Sequence, residues 1–390
     1  MKKTLLKSLE IAFRHAVVYP ILRLIVRNEV IKRPVDIGSI RKLLIFRADG
    51  IGDMIVSTPM FKRIKEANPH LHLAVFASKR NVDIIRFNPH IDRIYILHNN
   101  PLRFLRELAA ARKENYDVVI DFVFNRTTLE GIMANVIAPR GIKIGQGADK
   151  YSFYFNRMIP IDHTGPHMVE ILTGMIHDVF GLPTDPARLR YEIIVDDKSK
   201  NRVDMFLQKC GLKRRGRAGG GSGYMVLNFA AVDVVRRVSV EQATEIIRLV
   251  RQNRPEQPVL IFPPSDRKTL DAILQRSGHE KPLVYPEEGT AGLLEIASLI
   301  EGAVYVVTPD TSIIHFASAT QTPLFALYTP TAARNHQWLP YGVFYRSIRA
   351  MLGSAVSSLS LADITEALTQ FWKELDVSHM SVQSSAGQDA

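Results

Sequence analysis

Short runs of continuous apolar residues alternate along this chain with longer stretches whose apolar positions recur at helical spacing. Lys42 to Phe46 reads as a buried strand and Met54 to Ala67 as the helix that follows it. The same alternation gives strands at Leu71–Phe76, Arg93–Leu97 and Asp117–Phe122, with helices at Val82–Phe87 and Leu102–Lys113. Leu129–Ile137, His167–Phe180 and Asn201–Gly211 add three more helices. The pattern restarts at Tyr224–Phe229, with strands at Pro258–Phe262, Leu283–Tyr285, Val304–Val307 and Pro323–Leu327. Helices at Val240–Gln252, Asp266–Gln275, Ala291–Ile300, Ser312–Ala319 and Ala362–Leu375 complete the second half. Strands separated by helices at this spacing form parallel sheets covered on both faces. The expected fold is therefore α/β: two doubly wound, Rossmann-like domains facing a central cleft.

Where the periodicity fails, boundaries are expected. Leu212 to Gly223 is charged and glycine-rich, the composition of a flexible connection. It separates a first domain, 40–211, from a second, 224–375, with a basic amino-terminal segment at 1–39 and a disordered polar tail at 376–390. Pro59 should kink its helix. Gly141–Lys150 and Tyr151–Arg157 read as loop; their basic and aromatic residues, such as Lys143, Phe153, Tyr154 and Phe155, either hold a sugar and phosphate or form a packed surface.

With 390 residues, the chain is long enough for two domains with full cores, and its 46% hydrophobic and 23% charged residues are those of a globular protein. The formal net charge of +11 favours anionic partners, whether a nucleotide phosphate, a phosphorylated glycolipid or an anionic membrane. Nucleic acid is not expected, because no aromatic stacking platform or recognition-helix motif accompanies the charge. A single cysteine, Cys210, excludes an internal disulfide and fits a reducing cytoplasm. Residues 1–33 carry Lys2, Lys3, Lys7, Arg14, Arg23, Arg27, Lys32 and Arg33 against Glu10 and Glu29, interleaved with apolar residues. The run Ala16–Leu22 is too short to span a bilayer. An interfacial helix on an anionic membrane or a helix packed on the first domain would each account for the pattern.

Two strand-to-helix turns carry the candidate chemistry. After the first strand comes Ala48-Asp49-Gly50-Ile51-Gly52-Asp53, where Gly50 and Gly52 permit a tight turn and Asp53 begins the helix, facing the crevice. A dinucleotide fingerprint needs a third glycine where Ile55 stands, which argues against a nicotinamide site. In the second half, Thr308-Pro309-Asp310-Thr311-Ser312 leads from strand to helix, with Asp310 or Thr311 as cap, and a helix start is a ready anion site. Arg236 and Arg237, after the second domain's first strand, either neutralise a diphosphate or sit as solvated surface. No Asp-x-Asp metal motif follows a strand; Asp196-Asp197 reads as a helix cap, so neither a metal nor another cofactor is expected.

Two stretches, KLLIFRADGIGDMIVSTPMFKRIKEANPHLHLAVFAS and LLEIASLIEGAVYVVTPDTSIIHFASATQTPLFALYTPT, resemble the heptosyltransferase family, glycosyltransferase family 9. The likeness, with the intervening strands, covers most of residues 40–345. It implies the two-domain GT-B architecture and an inverting, metal-independent transfer of a sugar, usually from ADP-heptose, to a lipopolysaccharide-core acceptor. The work would lie at the cytoplasmic face of the membrane. By position, Asp53 matches the family's general base, Asp310, Thr311 and Ser312 the donor diphosphate site, His315 the histidine on the same helix, and Glu295 a residue near the ribose. Arg236 falls where the family usually has a lysine on phosphate. The chain departs from the family at Ser312, usually glycine, at Arg236-Arg237-Val238-Ser239, usually Lys-x-Trp-Pro, and at Ala230-Ala231, usually a glycine-containing turn. All three departures lie in the donor half, so they bear on the donor's identity more than on the reaction. A relative that binds nucleotide or glycan without turnover is the other class compatible with these residues.

Overall fold

The computed structural model describes residues 19–26, 28–124, 127–147, 149–161, 165–183, 185, 188–216, 221–330 and 336–386. Residues 1–18 of the basic segment, Arg217–Gly220 of the expected linker, Thr331, and 387–390 of the tail lie outside them. The chain divides into two compact units. The first runs up to Val82 and includes Pro89–Asp162 and Val169–Arg188; the second comprises Asp83–Asn88, His163–Met168 and everything from Leu189.

The first unit holds a six-stranded parallel sheet: β1 (Lys42–Arg47), β2 (His72–Ser78), β3 (Arg93–Leu97), β4 (Val118–Asp121), β5 (Ile142–Gln146) and β6 (Arg157–Ile159). Their order is β3-β2-β1-β4-β5-β6. The second has the same topology in β7 (Tyr224–Asn228), β8 (Gln257–Ile261), β9 (Leu283–Tyr285), β10 (Val306–Pro309), β11 (Leu324–Tyr328) and β12 (Tyr345–Arg349), ordered β12-β11-β10-β7-β8-β9. In each sheet the strand order reverses beside the first strand, at β1/β4 and at β7/β10. A crevice opens at such a switch point, on the carboxyl side of the strands.

Four expectations need correction. The stretch read as loop contains β5 and runs into the start of β6, and two of its aromatic residues, Tyr154 and Phe155, are buried core. Gly131 and Gly145 make room for them, since a Cβ at either would meet the Tyr154 or the Phe155 ring at 2.6 Å and 2.5 Å. Lys143, which hid the strand's apolar character, is buried with its ammonium donating to Ala138 O at 3.1 Å, and burial pulls its pKa down. Burying each ring is worth roughly 2 to 3 kcal/mol, which leaves neither for a ligand.

The unit boundary falls near residue 189, ahead of the expected linker. The helix Asp197–Lys209, capped by Asp196, belongs to the second unit. Arg214 is itself buried, with Nε on Asp204 Oδ1 at 2.7 Å, Nη1 on Ser298 O at 2.7 Å and Nη2 on Ser298 Oγ at 2.9 Å. Lys213 N also donates to Ser222 O, so the described part of this stretch is a closed turn of the second unit.

Residues 19–39 belong to the first unit and do not form a separate segment. Tyr19, on α1 (Tyr19–Ile25), is buried with its hydroxyl 2.9 Å from Thr128 Oγ1, and Asn28 Nδ2 donates to Asn135 Oδ1 and Phe153 O. Lastly, the terminal helix runs from Leu361 to Ala386 and takes in most of the expected disordered tail. No proline or glycine interrupts the sequence between Leu361 and Gly387. Among the described residues no helix is long and apolar enough to cross a membrane.

Candidate functional site

In the first unit, β1 ends at Arg47 and α2 (Ile51–Ala67) starts a turn later. Asp53 is the third residue of α2, and its Oδ2 accepts the Gly50 amide at 3.1 Å. Gly50 has an ordinary extended backbone, φ −91° and ψ 169°. Its lack of a side chain matters for another reason: a Cβ there would lie 2.2 Å from Asp53 Oδ2. Gly52 sits in the first turn of the helix, outside the left-handed region. Gly50 thus clears space for a carboxylate, and neither glycine supplies an unusual dihedral.

Arg47 anchors the arrangement. Its side chain is 0% exposed; Nε donates to Asp53 O at 3.0 Å and Ser57 Oγ at 2.9 Å, while Nη1 donates to Asp49 Oδ2 at 2.9 Å and to Phe122 O. Nη2 lies 3.6 Å from Asp53 Oδ1. From β2's end, buried Asn81 donates through Nδ2 to Arg47 O at 3.0 Å and Gly50 O at 3.2 Å, which pins the turn. The Asp53 side chain remains 27% exposed, so one carboxylate is held at both oxygens by the protein and still open to solvent. At the end of β4, Asp121 is fully buried, with Oδ1 accepting the Val123 amide at 2.9 Å and no hydrogen-bond partner for Oδ2 among the described residues. Burial, then the nearby Glu130 carboxyl, push its pKa well above the usual carboxylate range. A protonated Asp121 avoids placing a second bare carboxylate beside Asp49.

In the second unit, the polar ends of β7 and β10 meet. Asn228 Nδ2 donates to Thr308 Oγ1 at 2.9 Å, Thr311 Oγ1 at 3.2 Å and Ala230 O at 3.2 Å. The helix that follows is short, Ile313–Ala319, with Ser312 at its N-cap. The N-cap thus falls one residue beyond the expected Asp310 or Thr311 and makes no side-chain cap bond, while Thr311 Oγ1 accepts the Ile313 amide at 3.3 Å. The Ile314 and His315 amides bond Thr311 O and Ser312 O. The amides of Thr311 and Ser312 find no acceptor among the described residues. Arg236 Nη1 lies 3.2 Å from Asp310 Oδ2, and the mostly buried Asp310 has its pKa raised by burial against that guanidinium's opposing pull.

The structure thus gathers Asp310, Thr311, Ser312 and Arg236. Arg237 pairs instead with Asp266 at 3.2 Å and donates to Ala231 O at 2.8 Å. His315 is buried with its ring edge-on to Trp338 and Tyr191, at centroid distances of 5.9 and 6.4 Å. Glu295 is buried with Oε1 on Arg202 Nη1 at 2.7 Å and Oε2 accepting from the Tyr285 hydroxyl at 2.8 Å. Asp196 accepts the Ser199 amide at 3.0 Å, the capping role its sequence position implied. Sequence reasoning missed Arg47, Asn81, Asp121, Asn228 and Thr308. Three of the five, Arg47, Asp121 and Asn228, share one signal, a polar residue closing an apolar strand beside the switch point, and Thr308 stands one place before the end of β10.

Two Rossmann-ordered units, each with polar strand ends gathered at its switch point, make up a two-domain α/β fold of the GT-B kind. The profile of glycosyltransferase family 9 (heptosyltransferase) matches residues 103–355, and the chain belongs to that family. It is 24% identical to lipopolysaccharide heptosyltransferase 3 of Escherichia coli (strain K12) over 305 residues, 72% of this chain and 80% of that protein. The crystal structure of a family 9 glycosyltransferase from Veillonella parvula superposes with a TM-score of 0.72 at 16% identity, covering 87% of this chain and 99% of that one. Escherichia coli heptosyltransferase WaaC with ADP-2-deoxy-2-fluoro heptose does so at 0.62 and 20% identity, over 85% and 99%. The matched profile begins after the Gly50–Asp53 turn, so the family assignment is independent of that turn.

Proposed function

We propose that this glycosyltransferase moves a heptose from ADP-heptose to a lipopolysaccharide-core acceptor, with inversion and without a metal ion, and that Asp53 is its general base. The observation that carries the reading is the Asp53 carboxylate, held by the Gly50 amide and Arg47 yet open to solvent. The acceptor hydroxyl gives its proton to that carboxylate as its oxygen attacks the anomeric carbon. The bond to the diphosphate oxygen breaks on the opposite side, ADP departs, and a single displacement inverts the anomeric centre. Charge developing on the leaving diphosphate is met by the Thr311 and Ser312 amides and by Arg236, once Arg236 exchanges Asp310 for phosphate. Glu295, by resemblance near the ribose, offers a carboxylate already fixed by Arg202 and Tyr285. His315 borders the donor from the same helix. Arg237 takes part only if it leaves Asp266, and the donor contact assigned to it is the weakest of the set. ADP-heptose is the donor named with the WaaC structure in fluorinated form, which supports the same choice here.

The site of work in this reading is the cytoplasmic membrane's inner face, with the basic residues of 1–33 on anionic headgroups. Nucleic acid has no part in it. The test is ADP release by purified protein given ADP-heptose and a lipopolysaccharide-core acceptor. Acceptor-dependent release that falls by at least about a hundredfold in Asp53→Asn, with ADP affinity retained, is the expected result. Equal turnover in the variant would remove Asp53 as base. No release from wild-type protein with a competent acceptor would remove the donor assignment.

A further inference from the structure

The helix Pro101–Lys113 leaves β3 with its first turns exposed where an ordinary surface helix would be polar. Leu102 and Leu105 are 78% and 55% exposed, and Arg103 and Arg106, each next to one of them in sequence, are exposed too. Its inner face is satisfied: Phe104 and Leu108 pack on the first unit's core. On α1, Leu22 reaches the same core while Ile21, Leu24 and Ile25 face solvent, Leu24 at 75%. Both helices lie against Thr127–Ile137, the first through Arg112 Nη1 on Val136 O and α1 through Tyr19 on Thr128, and that helix adds exposed Leu129.

The sheet's topology gives this patch a position. All its strands run parallel, so helices that begin where β3 and β4 end begin at the sheet's carboxyl edge, the edge from which Arg47 leads into the Asp53 turn. Leu102, Leu105 and Leu129 lie in the first turns of those helices, and Tyr19 ties the start of α1 to the same edge. The patch's charge is one-signed. Arg23, Arg103 and Arg106 join no ion pair among the described residues, α1 has no acidic residue, and Glu107 is the only one on Pro101–Lys113. Arg23 lies over the Phe153 ring, and apolar side chains interleaved with arginines outside any such ion pair suit a bilayer surface bearing anionic headgroups, where the leucines enter the interface and the guanidinium groups meet phosphate.

We infer that the outer faces of Pro101–Lys113 and α1 form a docking surface for an anionic lipid bilayer, seating the first unit with its Asp53 edge at the membrane. This rests on the reading of the acceptor as lipid-anchored and deepens it by assigning a second, folded contact besides the amino-terminal residues. The experiment is flotation of the full chain with vesicles of phosphatidylcholine alone or mixed with phosphatidylglycerol. Wild-type protein floats with the mixed vesicles and not with the neutral ones, and added salt weakens the association. Leu102→Asp with Leu105→Asp lowers recovery by about tenfold or more. Arg103→Gln with Arg106→Gln lowers it less and flattens the salt dependence. Both pairs keep the wild-type melting temperature, and both keep ADP release toward a deacylated core acceptor, a soluble readout of the transferase reading itself. Wild-type protein that fails to float, or variants that float as wild type does, overturns the inference. So does a shift from dimer to monomer in the leucine variant, which would make the patch a contact between two copies.

Discussion

Gly50 is required by a neighbouring carboxylate. A methyl group in its place meets Asp53 Oδ2 at 2.2 Å and must push that oxygen from the turn's amide. Gly50→Ala should lower kcat by about tenfold to a hundredfold, the range for a catalytic group displaced by an ångström or so, while the KM for the donor stays unchanged. Parallel losses in both would instead indicate a general collapse of the turn. Asp121 gives a second test at this scale. Its pKa is raised in the fold, so the fold favours the protonated acid, and that contribution is complete at low pH and lost as pH rises through the raised value. Asp121→Asn keeps the acceptor for the Val123 amide and removes the titration. The variant should match wild type below about pH 4, exceed it increasingly as pH rises from there to the raised value and keep a constant margin beyond it, read as melting temperature against pH; two parallel curves would refute this. Asp53, Asp310 and Thr311 were legible because a carboxylate or hydroxyl following a strand is conspicuous. Arg47, Asn228 and Asp121 were not, because the same apolar runs that reveal a strand make its last polar residue read as mere punctuation.

At the scale of elements, regular alternation carried most of the information, and local chemistry decided where it misled. Pro59 was expected to kink its helix, and it stands inside α2, Ile51–Ala67. Proline lacks the amide that would bond Ile55 O, and Thr58 Oγ1 donates to that oxygen at 2.7 Å instead. Replacing Thr58 with valine should cost about 1 to 3 kcal/mol in chemical denaturation, the penalty for a buried carbonyl left unpaired. The strands β5 and β6 were hidden by the buried Lys143 and by aromatic residues whose core role depends on glycines distant in sequence. The charged residues ahead of the glycine run misled in the opposite sense, because they read as linker while buried Arg214 ties their described part to the second unit. Arg214→Ala leaves Asp204 and the Ser298 carbonyl without their partner and should destabilise the protein by roughly 3 kcal/mol. A melting temperature equal to wild type would restore the flexible linker.

For the whole molecule, each unit has its own buried cluster, one built on β1 to β4 and the other on β7 to β11. A ligand held only by the second unit must then stabilise that unit's unfolding transition. ADP at a hundred times its Kd should add about 2.7 kcal/mol to it, seen in calorimetry as the upward shift of one transition and not of the whole profile. The fold class and the pairing of two nucleotide-binding-type sheets were readable from periodicity alone. Where the chain passes from one unit to the next was not, since that depends on which helix packs on which sheet.

That passage near residue 189 also says how such enzymes are best recombined. A seam cut at the glycine run would carry Arg202 on one parent and Glu295 on the other, splitting an ion pair at 2.7 Å whose carboxylate is buried, and would separate Arg214 from the Ser298 carbonyl. Joining parents between Arg188 and Leu189 keeps both of these contacts on one parent, and of the second unit only Asp83–Asn88 and His163–Met168 stay with the other, so exchange of nucleotide-sugar preference between relatives calls for those two short segments to be grafted as well.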